Sequence, residues 1–139
     1  FLFIDACGVS PAVWGELATQ GALRKKLAGV VINGAIRDVD EIRKLKFPAF
    51  AKLIAPSAGE PKGFGQIGVP LIVDGAPIMT DDWLIADDNG VCVIPRDSAV
   101  EIANGAMNVF EAENRIRKEI QEGSTLGKVI DSLRWENRR

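Results

Sequence analysis

The chain has 139 residues, 47% hydrophobic and 26% charged, enough for one domain with a real core and hardly enough for two. Seventeen Lys and Arg against nineteen Asp and Glu leave a net charge of -2. A protein that binds nucleic acid through counterion release is normally basic, so no nucleic-acid partner is expected. The chain has no His, no Tyr and two Cys, Cys7 and Cys92. That composition excludes imidazole bases, Ser-His-Asp triads, His-ligated metals and four-thiolate zinc sites. Acid-base or metal chemistry must therefore rest on carboxylates, Lys, Arg, backbone groups and water. The apolar stretches are too short to span a membrane, and no basic-then-apolar leader opens the chain, so a cytoplasmic protein without membrane contact is expected.

In chain order, Phe1 to Asp5 reads as a buried strand. It starts without a Met, which predicts that 1–139 is a single domain lacking an upstream N-terminal segment. A small-residue loop is expected from Ala6 to Val13. A helix is expected from Gly15 to Leu27, with Leu17, Ala18, Gly21, Ala22 and Leu27 near one face and Arg24, Lys25 and Lys26 in its last turn. Val30-Val31-Ile32 reads as a second strand, and Asn33-Gly34 as the start of a loop carrying Arg37 and Asp38. A short helix to about Leu45 and a strand from Phe47 to Ile54 follow. Strand-helix-strand-helix-strand units form parallel sheets.

The second half changes character. Ala55 to Gly65 reads as a Gly- and Pro-rich loop. Short strands are expected over Ile67 to Val73, Ala76 to Met79, Trp83 to Ala86 and Val91 to Ile94, with turn signals at Asp74-Gly75 and Asn89-Gly90. Ser98 and Glu101 have the spacing of a capping box. They would open a helix to about Glu122, with Ile102, Ala106, Val109, Ile116 and Ile120 at helical spacing. Gly123 would stop it before a last helix from about Thr125 to Trp135.

Open parallel sheets bind ligands in the loops at the carboxyl ends of their strands. Two such loops carry suggestive residues: Trp14-Gly15-Glu16-Leu17-Ala18 and Gly34-Ala35-Ile36-Arg37-Asp38. The free amides of Leu17 and Ala18 suit a carboxylate or phosphate, and Gly15 lets a ligand approach closely. Arg37 offers a bidentate fork for a carboxylate or a developing enolate. Asp38 and Glu16 are hard oxygen donors for Mg²⁺ or Mn²⁺, ions that take one or two protein carboxylates and fill their other sites with water and substrate. Together these parts would hold a 2-oxo acid, its carboxylate on the amides and its keto oxygen on the metal and Arg37. Each residue also has a plain structural use. Asp38 with Glu41 makes a helix cap, Glu16 is an acid in a first helical turn, and Arg37 is a surface cation.

The stretch Trp14-Gly-Glu-Leu-Ala-Thr19, followed by twenty residues between Glu16 and Arg37-Asp38, resembles the RraA-like family. That family includes the class II 4-hydroxy-4-methyl-2-oxoglutarate (HMG) aldolases. Gly29 to Asp40, Phe47 to Ala51, Ile85 to Val91 and Val93-Ile-Pro95 extend the resemblance over nearly the whole chain. It implies a β/β/α layered, swivelling-type domain of α/β class, with a parallel βαβαβ half, an antiparallel hairpin half and a helical C-terminal tail, in homotrimers that pair into hexamers. It also implies a divalent-metal-dependent lyase that makes two pyruvates from HMG and decarboxylates oxaloacetate. In that reading Gly15, Glu16, Leu17, Ala18 and Arg37 bind substrate. Arg37 stabilises the enolate, Glu16 orients a water, and Asp38 holds Mg²⁺ or Mn²⁺. Glu16 departs from the Asp of the better-known aldolases by one methylene.

The rival reading is a non-catalytic regulator that binds and inhibits a ribonuclease, as some relatives do. Such regulators tend to lack the acid before the twenty-residue gap, so Glu16 favours an enzyme. A menaquinone-pathway methyltransferase is disfavoured, because no Gly-rich nucleotide loop follows the first strand. Asp81-Asp82 and Asp87-Asp88-Asn89 lack EF-hand spacing and read as turn residues. Arg24-Lys25-Lys26 and Arg138-Arg139 read as solvated ends, Cys7 as a small buried thiol, and Ala55 to Gly65 as a mobile loop with a lid as its less favoured use.

Overall fold

Residues Val30–Ile36 form the strand around which the sheet is built. A computed structural model describes residues 1–63 and 65–136 of the chain. In chain order the elements of the first unit are β1 (Leu2–Asp5), β2 (Ala12–Trp14), α1 (Glu16–Arg24), β3 (Val30–Ile36), α2 (Val39–Lys44) and β4 (Ala49–Ile54). Two hairpins follow, β5 (Leu71–Val73) with β6 (Ala76–Ile78), and β7 (Trp83–Asp87) with β8 (Gly90–Ile94). By residue contacts the chain divides into two compact units, Phe1–Arg96 and a second that begins at Asp97. The second unit holds α3 (Ala99–Gln121) and α4 (Leu126–Glu136).

All pairings in the four-stranded sheet are parallel. β4 runs along one edge of β3, with Val30 opposite Ala49 and Ile36 opposite Ile54. The other edge is shared: β1 pairs with its first half, Leu2 to Val30 through Asp5 to Asn33, and β2 with its end, Ala12 to Ala35 and Trp14 to Ile36. With neighbours on both edges, β3 is buried on both faces, which is why it reads as a near-continuous apolar run. Val30, Ile32 and Ile36 are buried side chains of this strand. They join Trp14, Ala22, Ile42 and Phe47 in the principal core cluster. Each large side chain of that cluster contributes roughly 1.5–3 kcal/mol on burial.

Three expectations about this half are corrected. The strand runs on through Asn33-Gly34, where a loop is expected. A Cβ on Gly34 would stand 2.7 Å from Cβ of Ala6, so the glycine is kept by the close approach of the β1 end, and no turn forms there. Ala12–Trp14 is a strand inside the expected loop, and its buried-exposed-buried alternation is the signal for it. The buried positions of α1 are Thr19 and Ala22, while Leu17 on the expected apolar face is 75% exposed.

The first hairpin arises as its turn residues predict, although its first strand begins at Leu71 and not at Ile67. Asp74-Gly75 closes β5–β6 with φ of 51° and 81°, the left-handed pair of a type I′ turn. The other turn is centred one residue earlier than expected, on Asp88-Asn89, because Asp87 pairs with Gly90. Ser98 precedes α3 but its side chain makes no capping hydrogen bond. A 3₁₀ turn over Arg96–Ser98 leads into it and gives Ser98 a ψ of 1° instead of an extended backbone, so no capping bond forms. No residue of α3 is buried in this chain. Gly123 ends the helix at φ +99°. Arg138-Arg139 lie outside the described residues.

Candidate functional site

The parallel strands place three loops at one edge of the sheet, after Trp14, after Ile36 and after Ile54. The first two are the loops the sequence singles out, although Gly15 is delivered by β2 and not by β1. The third, Ala55-Pro56, joins them because Ala55 N–H donates to the Ile36 carbonyl at 3.0 Å. The Arg37 backbone N–H donates to the Trp14 carbonyl at 3.0 Å, which locks the second loop against the first.

A buried bridge sets the start of α1. Trp14 Nε1 donates to Thr19 Oγ1 at 2.8 Å, and that hydroxyl donates to the Gly15 carbonyl at 3.0 Å. Thr19 is fully buried. Neither residue stands out in the sequence as functional, yet together they fix the turn from strand into helix. The Leu17 and Ala18 amides lie in the first turn of α1 and have no intrahelical acceptor. The Glu16 N–H does have a partner, Asp38 Oδ2 at 3.2 Å.

That contact corrects the plain reading of Asp38. Asp38 occupies the position before α2 but has φ 56° and ψ 39°, in the left-handed region, and its side chain makes no cap to that helix. N-caps ordinarily have extended backbone, from which the side chain meets the second or third amide ahead. The left-handed turn sends the Asp38 carboxylate to the start of α1 instead, where it lies 3.7 Å from Arg37 Nε. Asp is among the residue types that tolerate this conformation.

Gly15 is the floor of this arrangement. A Cβ there would lie 2.6 Å from Asp38 Oδ2 and 3.1 Å from Arg37 Nε, so only glycine leaves the pair where it stands. Both charged side chains are about two-fifths exposed. An ion pair so placed gains at most about 1 kcal/mol, so Arg37 is held to Asp38 only weakly. Glu16 Oε1 accepts a hydrogen bond from Gln20 Nε2, which turns the Glu16 carboxylate along its own helix.

Asp38 Oδ1 has no protein partner among the described residues, which suits a hard cation that takes one protein oxygen and completes its shell with water and ligand. No three His, Cys, Asp or Glu side chains gather into a metal cluster among the described residues. The start of the loop after Ile54, residues 55–59, is pinned to the sheet at two points, since Ala12 N–H donates to the Ser57 carbonyl at 2.8 Å and Gly59 N–H to the Ala12 carbonyl at 2.9 Å. Cys7 is exposed, contrary to the buried thiol expected. It sits in a left-handed turn with φ 57°, its N–H bonded to Asp5 Oδ1 at 2.9 Å, and that turn holds it outside the core. No helix among the described residues is long and apolar enough to cross a membrane.

Residues 1–93 match the RraA-like family, described as Aldolase/RraA. The chain belongs to the RraA-like family. Among relatives, an uncharacterized protein of Methanocaldococcus jannaschii is 43% identical over 120 residues, covering 86% of this chain and 58% of that protein. A 4-hydroxy-4-methyl-2-oxoglutarate aldolase of Thermus thermophilus is 34% identical over 95 residues, 68% of this chain and 58% of the aldolase. Among solved structures, an uncharacterized protein from Pseudomonas syringae pv. tomato superposes with a TM-score of 0.81 at 30% identity, covering 91% of this chain and 64% of that one. The RNA-processing inhibitor RraA from Thermus thermophilus superposes with a TM-score of 0.64 at 33% identity, covering 68% of this chain and 58% of that one. The RraA-like chain described here thus spans a little under two thirds of the length of these proteins. Its mixed α/β fold, with a parallel sheet and antiparallel hairpins, is the fold of its RraA neighbours.

Proposed function

We propose that this RraA-like chain is a class II pyruvate aldolase and oxaloacetate decarboxylase, a lyase that cleaves 2-oxo acids through a pyruvate enolate. The observation that carries the reading is the Asp38 carboxylate. It leaves its own helix uncapped and sits with Arg37 against Gly15 at the start of α1. A helix cap would not place it there.

In this reading the substrate carboxylate accepts hydrogen bonds from the Leu17 and Ala18 amides, and the Arg37 guanidinium faces the 2-keto oxygen. Asp38 would hold Mg²⁺ or Mn²⁺. When bound, such an ion polarises a keto group and lowers the pKa of a coordinated water. For HMG, the 4-hydroxyl loses its proton and becomes the keto group of the first pyruvate as the C3–C4 bond breaks. The electron pair passes to C3 and its conjugated keto group, giving the enolate that Arg37 stabilises. Protonation at C3 yields the second pyruvate. For oxaloacetate the same bond breaks with loss of CO₂ and the same enolate results. Glu16 orients the water that relays these protons. We further propose one domain over 1–139, a homotrimer or hexamer as the working assembly, and a cytoplasmic site of action.

The test is pyruvate release from HMG and from oxaloacetate with Mg²⁺ or Mn²⁺, and again with EDTA. Release that stops with EDTA and in Asp38→Ala is the expected result. No release from the folded protein would favour the second reading, a regulator that binds and inhibits a ribonuclease. Likeness to an RNA-processing inhibitor supports that reading, and its test is inhibition of RNA cleavage by the same preparation.

A further inference from the structure

The edge where the parallel strands begin, opposite the Arg37–Asp38 site, is strongly basic. α1 leads from β2 to β3 and α2 from β3 to β4, all parallel strands, so each helix ends at the edge where the next strand starts. Ala22 of α1 and Ile42 of α2 share one core cluster, which sets the two helices side by side on one face. The loops that follow them are tied together, because the Val30 N–H donates to the Pro48 carbonyl at 2.9 Å. The two ends read Arg24-Lys25-Lys26-Leu27-Ala28-Gly29 and Arg43-Lys44-Leu45-Lys46-Phe47-Pro48. Each holds three cations and no acid, and all six charged side chains are exposed. Arg43 and Lys44 reach back along α2 to Asp40 and Glu41. Arg24, Lys25, Lys26 and Lys46 make no ion pair among the described residues.

Helix dipoles account for only part of this. Each helix already has a cation in its last turn, and the pull of the dipole fades within that turn. Lys26 and Lys46 lie beyond it, in left-handed conformations with φ of 58° and 53°. The Lys26 N–H donates to the Leu23 carbonyl and the Leu27 N–H to the Ala22 carbonyl, while the Lys46 N–H donates to the Arg43 carbonyl, each at 3.0 Å. These are the bonds of a helix stop whose left-handed residue is ordinarily glycine. A lysine at each stop strains the backbone and gains no ion pair in return. Strain of this kind gathers where a chain meets its ligands.

We propose that this edge docks a short acidic segment of another protein, an extended run of Asp or Glu residues. Neighbouring helices pack about 10 Å apart, so a run of about four to six residues, at about 3.3 Å each, spans both helix ends. A nucleic acid fits less well. The other eleven cations of the chain face nineteen acids, and the field of the patch is screened within about 8 Å at physiological salt. A strand running past the patch therefore meets a surface of its own sign. A second copy of this chain also fits less well. Residues 63–95 hold five acids and no cation, but Asp74 is engaged by Lys52, Asp81 by Arg96, Asp82 by the Met79 N–H and Asp87 by Asn89. The inference is independent of the lyase reading, since the patch lies at the opposite end of the strands from Gly15 and Arg37.

The experiment measures fluorescence anisotropy of a fluorescein-labelled hexaglutamate peptide titrated with the full chain, at about 50 mM and again at about 300 mM NaCl. A labelled hexauridylate is titrated in parallel, and thermal melts are recorded on every variant. The expected result is saturable peptide binding that weakens at least about tenfold at the higher salt. Lys26→Gly and Lys46→Gly should each weaken it at least about threefold, while raising Tm by about 2–4 °C because glycine relieves the left-handed strain. Lys128→Gln, outside the patch, should leave binding unchanged. Peptide binding that is absent, or that survives both glycine substitutions together, overturns the proposal. Tighter binding of the hexauridylate overturns it in favour of a nucleic-acid partner. A lower Tm in the glycine variants would assign the two lysines to the fold and overturn it as well.

Discussion

Replacing Gly15 with alanine tests the site through a single methyl group. Gly15 has φ -161° and ψ -163°, an extended backbone that alanine also adopts, so the effect comes from space alone. The new Cβ would stand 2.6 Å from Asp38 Oδ2, short of the 3.4 Å at which ordinary contact begins. The carboxylate must retreat by about 0.8 Å, and a displacement near 1 Å costs catalysis roughly 100-fold. A fall in kcat/KM of about 30- to 100-fold is expected, equivalent to roughly 2–2.7 kcal/mol. Folding should change little, because Asp38 and Arg37 are about two-fifths exposed and swing toward solvent at a cost under about 1 kcal/mol. The assay is steady-state pyruvate release beside a thermal melt. Gly21→Ala is the control: nothing lies within 4 Å of its Cβ position, and alanine within α1 should stabilise the fold by about 0.5–1 kcal/mol with kinetics unchanged. Wild-type kcat/KM in Gly15→Ala, with an unchanged melt, would refute the argument that catalysis depends on where this glycine lets the carboxylate sit.

Arg37→Ala should lower kcat for pyruvate release by at least about 100-fold without shifting the urea midpoint, and unchanged kinetics would remove Arg37 from the proposed role. Thr19→Val leaves the Trp14 indole N–H buried without its acceptor, which should cost about 1–3 kcal/mol in urea unfolding; a variant as stable as the wild type would show that the bridge is not needed. Asp87 is held below its ordinary value of 3.8 by hydrogen bonds, first from the Asn89 backbone N–H and then from the Asn89 side chain. A carboxylate with a lowered folded pKa stabilises above its unfolded value, and that contribution is lost as pH falls through the folded value. The acid limb of the stability profile should therefore be shallower in Asp87→Asn, and identical limbs would show that the turn does not sense pH.

Much of this molecule follows from local patterns. Apolar runs mark β1, β3 and β4, the Asp74-Gly75 signal gives its hairpin, and Gly123 stops α3 where expected. The twenty-residue spacing from Glu16 to Arg37-Asp38 is itself a sequence property, and with its flanking residues it suffices for the family. These features are legible because they depend on near neighbours, on side-chain period and on φ preference. Other features depend on partners far along the chain. Asn33-Gly34 looks like a turn until Asp5 pairs with Asn33 and Ala6 lies against Gly34; held along that edge, it stays in the strand. Ala12–Trp14 is too short to announce itself and becomes a strand by pairing with Ala35 and Ile36. Asp38 with Glu41 has the sequence of a cap, yet its left-handed backbone sends the carboxylate twenty-two residues back, to the Glu16 amide. Side-chain type and spacing thus determined which groups are available to the site. Backbone conformation and long-range pairing alone decided where they point, because a hydrogen bond between distant residues forms only once the sheet has brought its two ends together.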